Sequence, residues 1–105
     1  MDDKIKQRIE NDIKNNKVFL YMKGTAEAPM CGFSARVVDV IKKHNVAFKT
    51  FNILSDEQIR SAVKEYSDWP TFPQLYVNGE LVGGCDIVME LEGSGELAKV
   101  LQSVK

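Results

Sequence analysis

The chain has 105 residues, 44% of them hydrophobic and 28% charged, with a formal net charge of -1. That length and apolar content suit one compact domain over residues 1–105, and the balanced charge argues against both a disordered tail and nucleic-acid binding through a basic excess. The longest wholly apolar run, Val18 to Met22, falls far short of the ~20 residues that cross a bilayer, so no membrane partner is expected.

In chain order, Asp2 or Asp3 is positioned to cap a first helix in which Ile5, Ile9 and Ile13 recur every four residues, and Asn15-Asn16 ends it. Lys17 to Met22, with aromatic and β-branched content, reads as a buried strand. Lys23 to Met30 is a loop punctuated by Gly24 and Pro29. A second helix starts near Cys31-Gly32, with Phe33, Val37, Val38, Val40 and Ile41 as its apolar face. It ends near Lys42 to Asn45, with His44 on the surface.

Phe48 to Ile53 alternates as a strand does. Ser55 followed by Gln58 is a capping-box candidate for a third helix, which turns Ile59, Val63 and Tyr66 inward and Arg60 and Lys64 elsewhere. Trp69 to Pro73 breaks the chain. Gln74 to Val77 and Glu80 to Val82 form a hairpin about Asn78-Gly79. Asp86 to Leu91 and Glu96 to Val104 read as helical stretches separated by Glu92 to Gly95. The order αβαβαββαα predicts an α/β fold: a mixed sheet with helices on both faces.

The two cysteines, Cys31 and Cys85, are too few for a disulfide scaffold. The start Met1-Asp2-Asp3-Lys4-Ile5-Lys6 has neither the apolar core of a signal peptide nor the Arg-rich character of a transit peptide. The expectation is a reducing compartment: the cytoplasm, with an organelle matrix not excluded. One histidine and two cysteines 54 positions apart supply no self-sufficient four-ligand metal site.

Cys31 follows a strand and loop and opens a helix, where orphan N–H groups and the helix dipole favour negative charge. A thiol there falls from ~8.5 to between ~3.5 and 7.5, and Lys23 adds a positive charge. The competing reading is an inert buried cysteine. Cys31-Gly32-Phe33-Ser34 keeps Cys-x-x-Cys spacing with serine in place of the second thiol. A mixed disulfide on Cys31 must then be resolved by an outside thiol, or by Cys85 if it lies close.

Thr71-Phe72-Pro73 reads locally as an ordinary turn with a trans proline. Gly83-Gly84-Cys85-Asp86 is either an anion site at a helix N-terminus or a tight turn capped by Asp86. Cys85 reads as packed rather than reactive, Arg60 as a carboxylate clamp or an idle surface residue, and Trp69 as core or pocket wall.

Several ordered motifs together resemble the monothiol glutaredoxins of the Cys-Gly-Phe-Ser type, including the bacterial and organellar single-domain forms. They are Met22-Lys23-Gly24-Thr25, Pro29-Met30-Cys31-Gly32-Phe33-Ser34, Trp69-Pro70-Thr71-Phe72-Pro73-Gln74, Asn78-Gly79-Glu80 and Gly83-Gly84-Cys85-Asp86. The resemblance spans essentially the whole chain, with no further thioredoxin-like domain in front.

It implies a thioredoxin-like fold with a four-stranded mixed sheet. It also implies a glutathione site formed by Lys23, Arg60, Thr71, Phe72, Pro73, Cys85 and Asp86. In that site Pro73 is the cis proline and Phe72 pairs with the cysteinyl unit. Lys23 and Arg60 hold the glycine carboxylate; Cys85 and Asp86 hold the γ-glutamyl end. Cys31 is implied as the catalytic thiol and as a ligand of a 2Fe-2S cluster shared with a second subunit. Four ligands are then two Cys31 thiolates and two glutathiones.

The implied function is iron–sulfur cluster biogenesis or transfer, with a cluster-bound homodimer, BolA-like proteins and apo iron–sulfur proteins as partners. Alternatives are glutathione-dependent thiol–disulfide exchange, and a regulatory role with BolA-like proteins. Exchange activity is expected to be weak, since Thr25 to Pro29 looks like the insertion that accompanies poor reductases in the family.

Overall fold

A computed structural model describes residues 1–104. The elements are α1 (Asp3–Asn15), β1 (Val18–Met22), α2 (Gly32–Lys43), β2 (Lys49–Asn52), α3 (Glu57–Ser67), β3 (Gln74–Val77), β4 (Glu80–Gly83), α4 (Cys85–Ser94) and α5 (Glu96–Gln102), with a 3-10 turn at Ile53–Ser55. The strands form one sheet in the order β2-β1-β3-β4. β1 runs parallel to β2 and antiparallel to β3, and β3 pairs antiparallel with β4. The mixed sheet is therefore as expected.

All of β1 is buried because the sheet is covered on both sides and side chains alternate. Val18, Leu20 and Met22 pack with Leu75 and Val77 against α2, α4 and α5. Phe19 and Tyr21 pack with Tyr76 against Ile9 and Ile13 of α1 and Ile59 and Val63 of α3. The Tyr21 ring lies edge-on to that of Tyr76, centroids 5.9 Å apart, a favourable aromatic geometry.

Five local expectations change. Phe33 does not join the apolar face of α2; it is 56% exposed, while Ser34 is fully buried. The cap of α3 is Asp56, whose carboxylate accepts from the N–H groups of Gln58 and Ile59, whereas Ser55 turns back to donate to the Asn52 carbonyl. The cap of α4 is Gly84 rather than Asp86, which lies in its first turn. α4 also continues through Gly93 and stops where Gly95 turns left-handed, φ 82°. His44 ends α2 but is not free on the surface: its Nε2 lies 2.8 Å from Glu92 Oε1 on α4.

Candidate functional site

The site lies at one end of the sheet, where the chain leaves β1 and enters β3. Cys31 occupies the N-cap position of α2 with extended backbone and no side-chain cap bond. The first N–H groups of the helix are thereby left to its sulfur. Its thiol is held below the ordinary range, chiefly by the backbone N–H of Ser34. The N–H of Phe33, the Lys23 ammonium and the Ser34 hydroxyl help, against the opposing effect of partial burial. Cys31 is part-exposed and Cys85 buried, and both are free thiols. Burial pushes the Cys85 thiol up, with Arg36 opposing and Asp86 and Cys31 adding to the rise. The two cysteines are thus unequal nucleophiles.

The Lys23–Met30 loop is fastened at its base. Met30 N–H donates to the Lys23 carbonyl at 2.9 Å, and Gly24 N–H donates to Asn52 Oδ1 at 2.9 Å. Gly24 has φ 89°, and a Cβ there would sit 2.5 Å from the Met30 nitrogen. Only glycine allows this approach, which brings the strand end and the cysteine together.

An open cleft of about 430 Å³ runs from Cys31 between α3 and the start of α4. Lys23, Arg60, Thr71, Phe72, Cys85 and Asp86 all line it. Pro73 lies behind the lining: the Phe72–Pro73 peptide is cis, not trans as local sequence favours. The Pro73 carbonyl would lie 3.3 Å from a Cβ on Gly84, so glycine lets the two segments close up.

Lys64, expected with Arg60 away from the core but not among the site residues, also lines the cleft. Its spacing of four from Arg60 on α3 puts both cations on one helix face. Trp69 is a cleft wall rather than core. Phe33 reaches the cleft rim from α2.

The cleft is electropositive: Lys23, Arg60 and Lys64 stand against Asp86 alone among its charged lining residues. Two buried side-chain nitrogens among the described residues lack a partner, Arg60 Nε and Trp69 Nε1. Both belong to this wall, and buried donors are ordinarily bonded. The α4 N-terminus opens onto the same cleft without a side-chain cap, leaving its N–H groups for an anion. The arrangement suits an elongated peptide carrying a carboxylate toward the α3 cations, a second toward the α4 N-terminus, and an amine beside Asp86. Among the described residues, no three His, Cys, Asp or Glu side chains converge to hold a metal ion.

A family model described as Glutaredoxin matches residues 18–82. The chain is 59% identical over 95 residues to the "Probable monothiol glutaredoxin 2" of Rickettsia conorii, covering 90% of this chain and 89% of that protein. Among solved structures, reduced poplar apo GrxS14 is 47% identical with TM-score 0.85, covering 95% of this chain and 92% of that one. A buckwheat glutaredoxin–glutathione complex, 22% identical, shares the fold with TM-score 0.85 over 99% of this chain and 96% of that one.

Proposed function

The chain belongs to the glutaredoxin family, alongside its monothiol members, and from that premise we propose that it binds glutathione in the Cys31 cleft and carries a 2Fe-2S cluster between two copies. The observation that carries the reading is one part-exposed, activated thiol beside a cationic peptide cleft, with a fully buried serine at the position of a second thiol. The chain fits the cluster as a single ligand: Cys31 is part-exposed with its thiol held below the ordinary range, whereas Cys85 is buried and pushed above it. Four thiolates hold such a cluster. Two copies supply two, and a glutathione in each cleft supplies the others.

Within the cleft, Lys23, Arg60 and Lys64 take the glycine carboxylate, and Phe72 pairs its backbone with the cysteinyl unit. The α4 N-terminus takes the γ-glutamyl carboxylate and Asp86 its amine. The glutathione sulfur is thereby directed toward Cys31. Because half of the thiolates come from a diffusible peptide, the cluster is cargo: loss of glutathione releases it to an apo iron–sulfur protein. A BolA-like protein taking the place of the second copy is a further reading on the same face.

A second reading rests on the lowered Cys31 thiol. Its thiolate attacks the glutathione sulfur of a mixed disulfide, the protein thiolate leaves, and Cys31 becomes glutathionylated. A second glutathione thiolate then displaces Cys31 and departs as glutathione disulfide.

Anaerobic reconstitution with iron, sulfide and glutathione separates the readings. The carrier reading expects a coloured dimer with about two irons per two chains, absent in Cys31→Ser. A colourless monomer that rapidly reduces mixed disulfides would overturn it in favour of the second.

A further inference from the structure

Gln74 is fully buried at the first position of β3, directly below the cleft wall. Its Nε2 donates to two backbone carbonyls, Trp69 at 3.1 Å and Thr71 at 3.2 Å. Its Oε1 accepts from the Tyr76 hydroxyl at 3.0 Å. Carbonyls only accept, so the amide nitrogen must face them and the oxygen must face the tyrosine. The side chain's two donors and its acceptor are all used, as a buried amide requires.

The peptide plane converts this clamp into a feature of the cleft. In a trans peptide, the carbonyl of one residue and the N–H of the next point in opposite directions. The Thr71 carbonyl points inward at Gln74, so the Phe72 N–H points the other way, away from Gln74, in a residue that lines the cleft. The Trp69 carbonyl also points inward, but the following residue is Pro70, which has no N–H to present. Of the two N–H groups between the prolines, those of Thr71 and Phe72, the clamp orients that of Phe72, whose peptide plane contains the Thr71 carbonyl, and it forms no hydrogen bond to any of the described residues.

We propose that Gln74 is a positioning residue of the glutathione cleft: by drawing the Trp69 and Thr71 carbonyls inward, its carboxamide aims the Phe72 N–H at an extended peptide ligand. This rests on the glutathione reading above. An apolar side chain of similar length fills the same space but leaves the Thr71–Phe72 plane free to rotate. Tyr76 acts at one remove, by holding the amide in the orientation that faces the carbonyls.

The test is calorimetric titration of the full chain with glutathione, comparing wild type, Gln74→Met and Tyr76→Phe. The Cys31 thiolate titration and the Phe72 amide resonance are followed in each. Gln74→Met is expected to raise the dissociation constant roughly tenfold, the scale of one lost hydrogen bond, and to abolish the ligand-induced shift of the Phe72 amide. Its Cys31 titration stays in place, which a general loosening of the site would not allow. Tyr76→Phe gives a smaller rise, roughly threefold. A folded Gln74→Met with wild-type affinity overturns the inference. If Gln74→Met does not fold, Tyr76→Phe with wild-type affinity and an unaltered Phe72 shift does the same. Absence of glutathione binding by the wild-type chain would instead overturn the proposed function itself.

Discussion

The Ser34 hydroxyl accepts a hydrogen bond from the backbone N–H of Lys23 at 3.2 Å. This bond joins the end of β1 to the first turn of α2, so one buried serine ties the Lys23 backbone to the helix that Cys31 caps. The serine that replaces a second redox thiol is therefore a structural tie as well as a donor to Cys31. Ser34→Ala removes the tie and leaves the Lys23 N–H without its partner, at a cost of about 1–3 kcal/mol for a buried unsatisfied group. The Cys31 pKa should rise, but only in part, because its leading support is the Ser34 backbone N–H, which alanine keeps. Chemical denaturation and thiolate absorbance against pH measure the two effects.

The two cysteines should separate by pH. Cys31 is held below the ordinary thiol value and Cys85 above it. The thiolate is the reacting species, so iodoacetamide near neutral pH should modify Cys31 first, with an inflection lower than that of a free thiol. Mass mapping that found Cys85 labelled first would contradict the site's electrostatics.

Arg60 and Lys64 share one face of α3 and line the cleft, while Arg60 makes only a long 3.8 Å contact with the largely exposed Glu57. Arg60→Gln should weaken glutathione binding by roughly tenfold, as expected for loss of a charge-assisted hydrogen bond, with a smaller effect for Lys64→Gln. Raising the salt concentration should weaken wild-type binding more than that of the double variant.

Two glycine-to-alanine substitutions should have opposite signs. At Gly24 a Cβ meets the Met30 nitrogen at 2.5 Å and the Ala28 carbonyl oxygen at 2.6 Å, and φ is 89°. Gly24→Ala should destabilise by on the order of 2 kcal/mol and disturb Cys31 reactivity. Gly93 lies within α4 with open space around its Cβ position, so Gly93→Ala should stabilise by about 0.5–1 kcal/mol. Urea midpoints at constant m-value decide both.

Asp12 supplies a pH test remote from the cleft. Its carboxylate bonds to the buried Tyr21 hydroxyl at 3.3 Å, and burial raises its pKa above the usual 3.8 despite the opposing Arg8 charge and that bond. A raised carboxyl pKa contributes stability below the unfolded value and loses it as pH rises through the folded value. Asp12→Asn should therefore be at least as stable as wild type at pH 7, with its relative advantage falling as the pH is lowered through the raised folded value toward 3.8 and levelling off below it. Thermal unfolding across that range measures the difference.

Much of the fold was legible because its signals are local. The Ile5-Ile9-Ile13 spacing, the apolar run of β1 and the Asn78-Gly79 turn each act within a few residues. So did the placement of Cys31 at a helix start, and the ordered motifs carried the family. Errors fell where two segments compete for one role. Asp56 outbids Ser55 as the cap because its carboxylate reaches two N–H groups. Phe33 looked like core because it is apolar, yet it faces outward at the cleft rim, while the smaller Ser34 points into the tie with Lys23.

Taken alone, the sequence determined the element order, a lone cysteine at a helix start without a neighbouring second one, and the family-level expectation of a peptide cleft. Periodicity, capping chemistry and motif spacing are properties of the chain itself. Tertiary structure decided what depends on groups distant in sequence meeting in space. It joined Lys23, Arg60, Lys64 and Asp86 in one cleft, and it raised Cys85 by burial while Cys31 was lowered by N–H groups. It also put Gln74 beneath Trp69 and Thr71. Burial and hydrogen-bond direction exist only once the sheet is closed on both faces, and it is these that turn a list of polar residues into a directed binding surface.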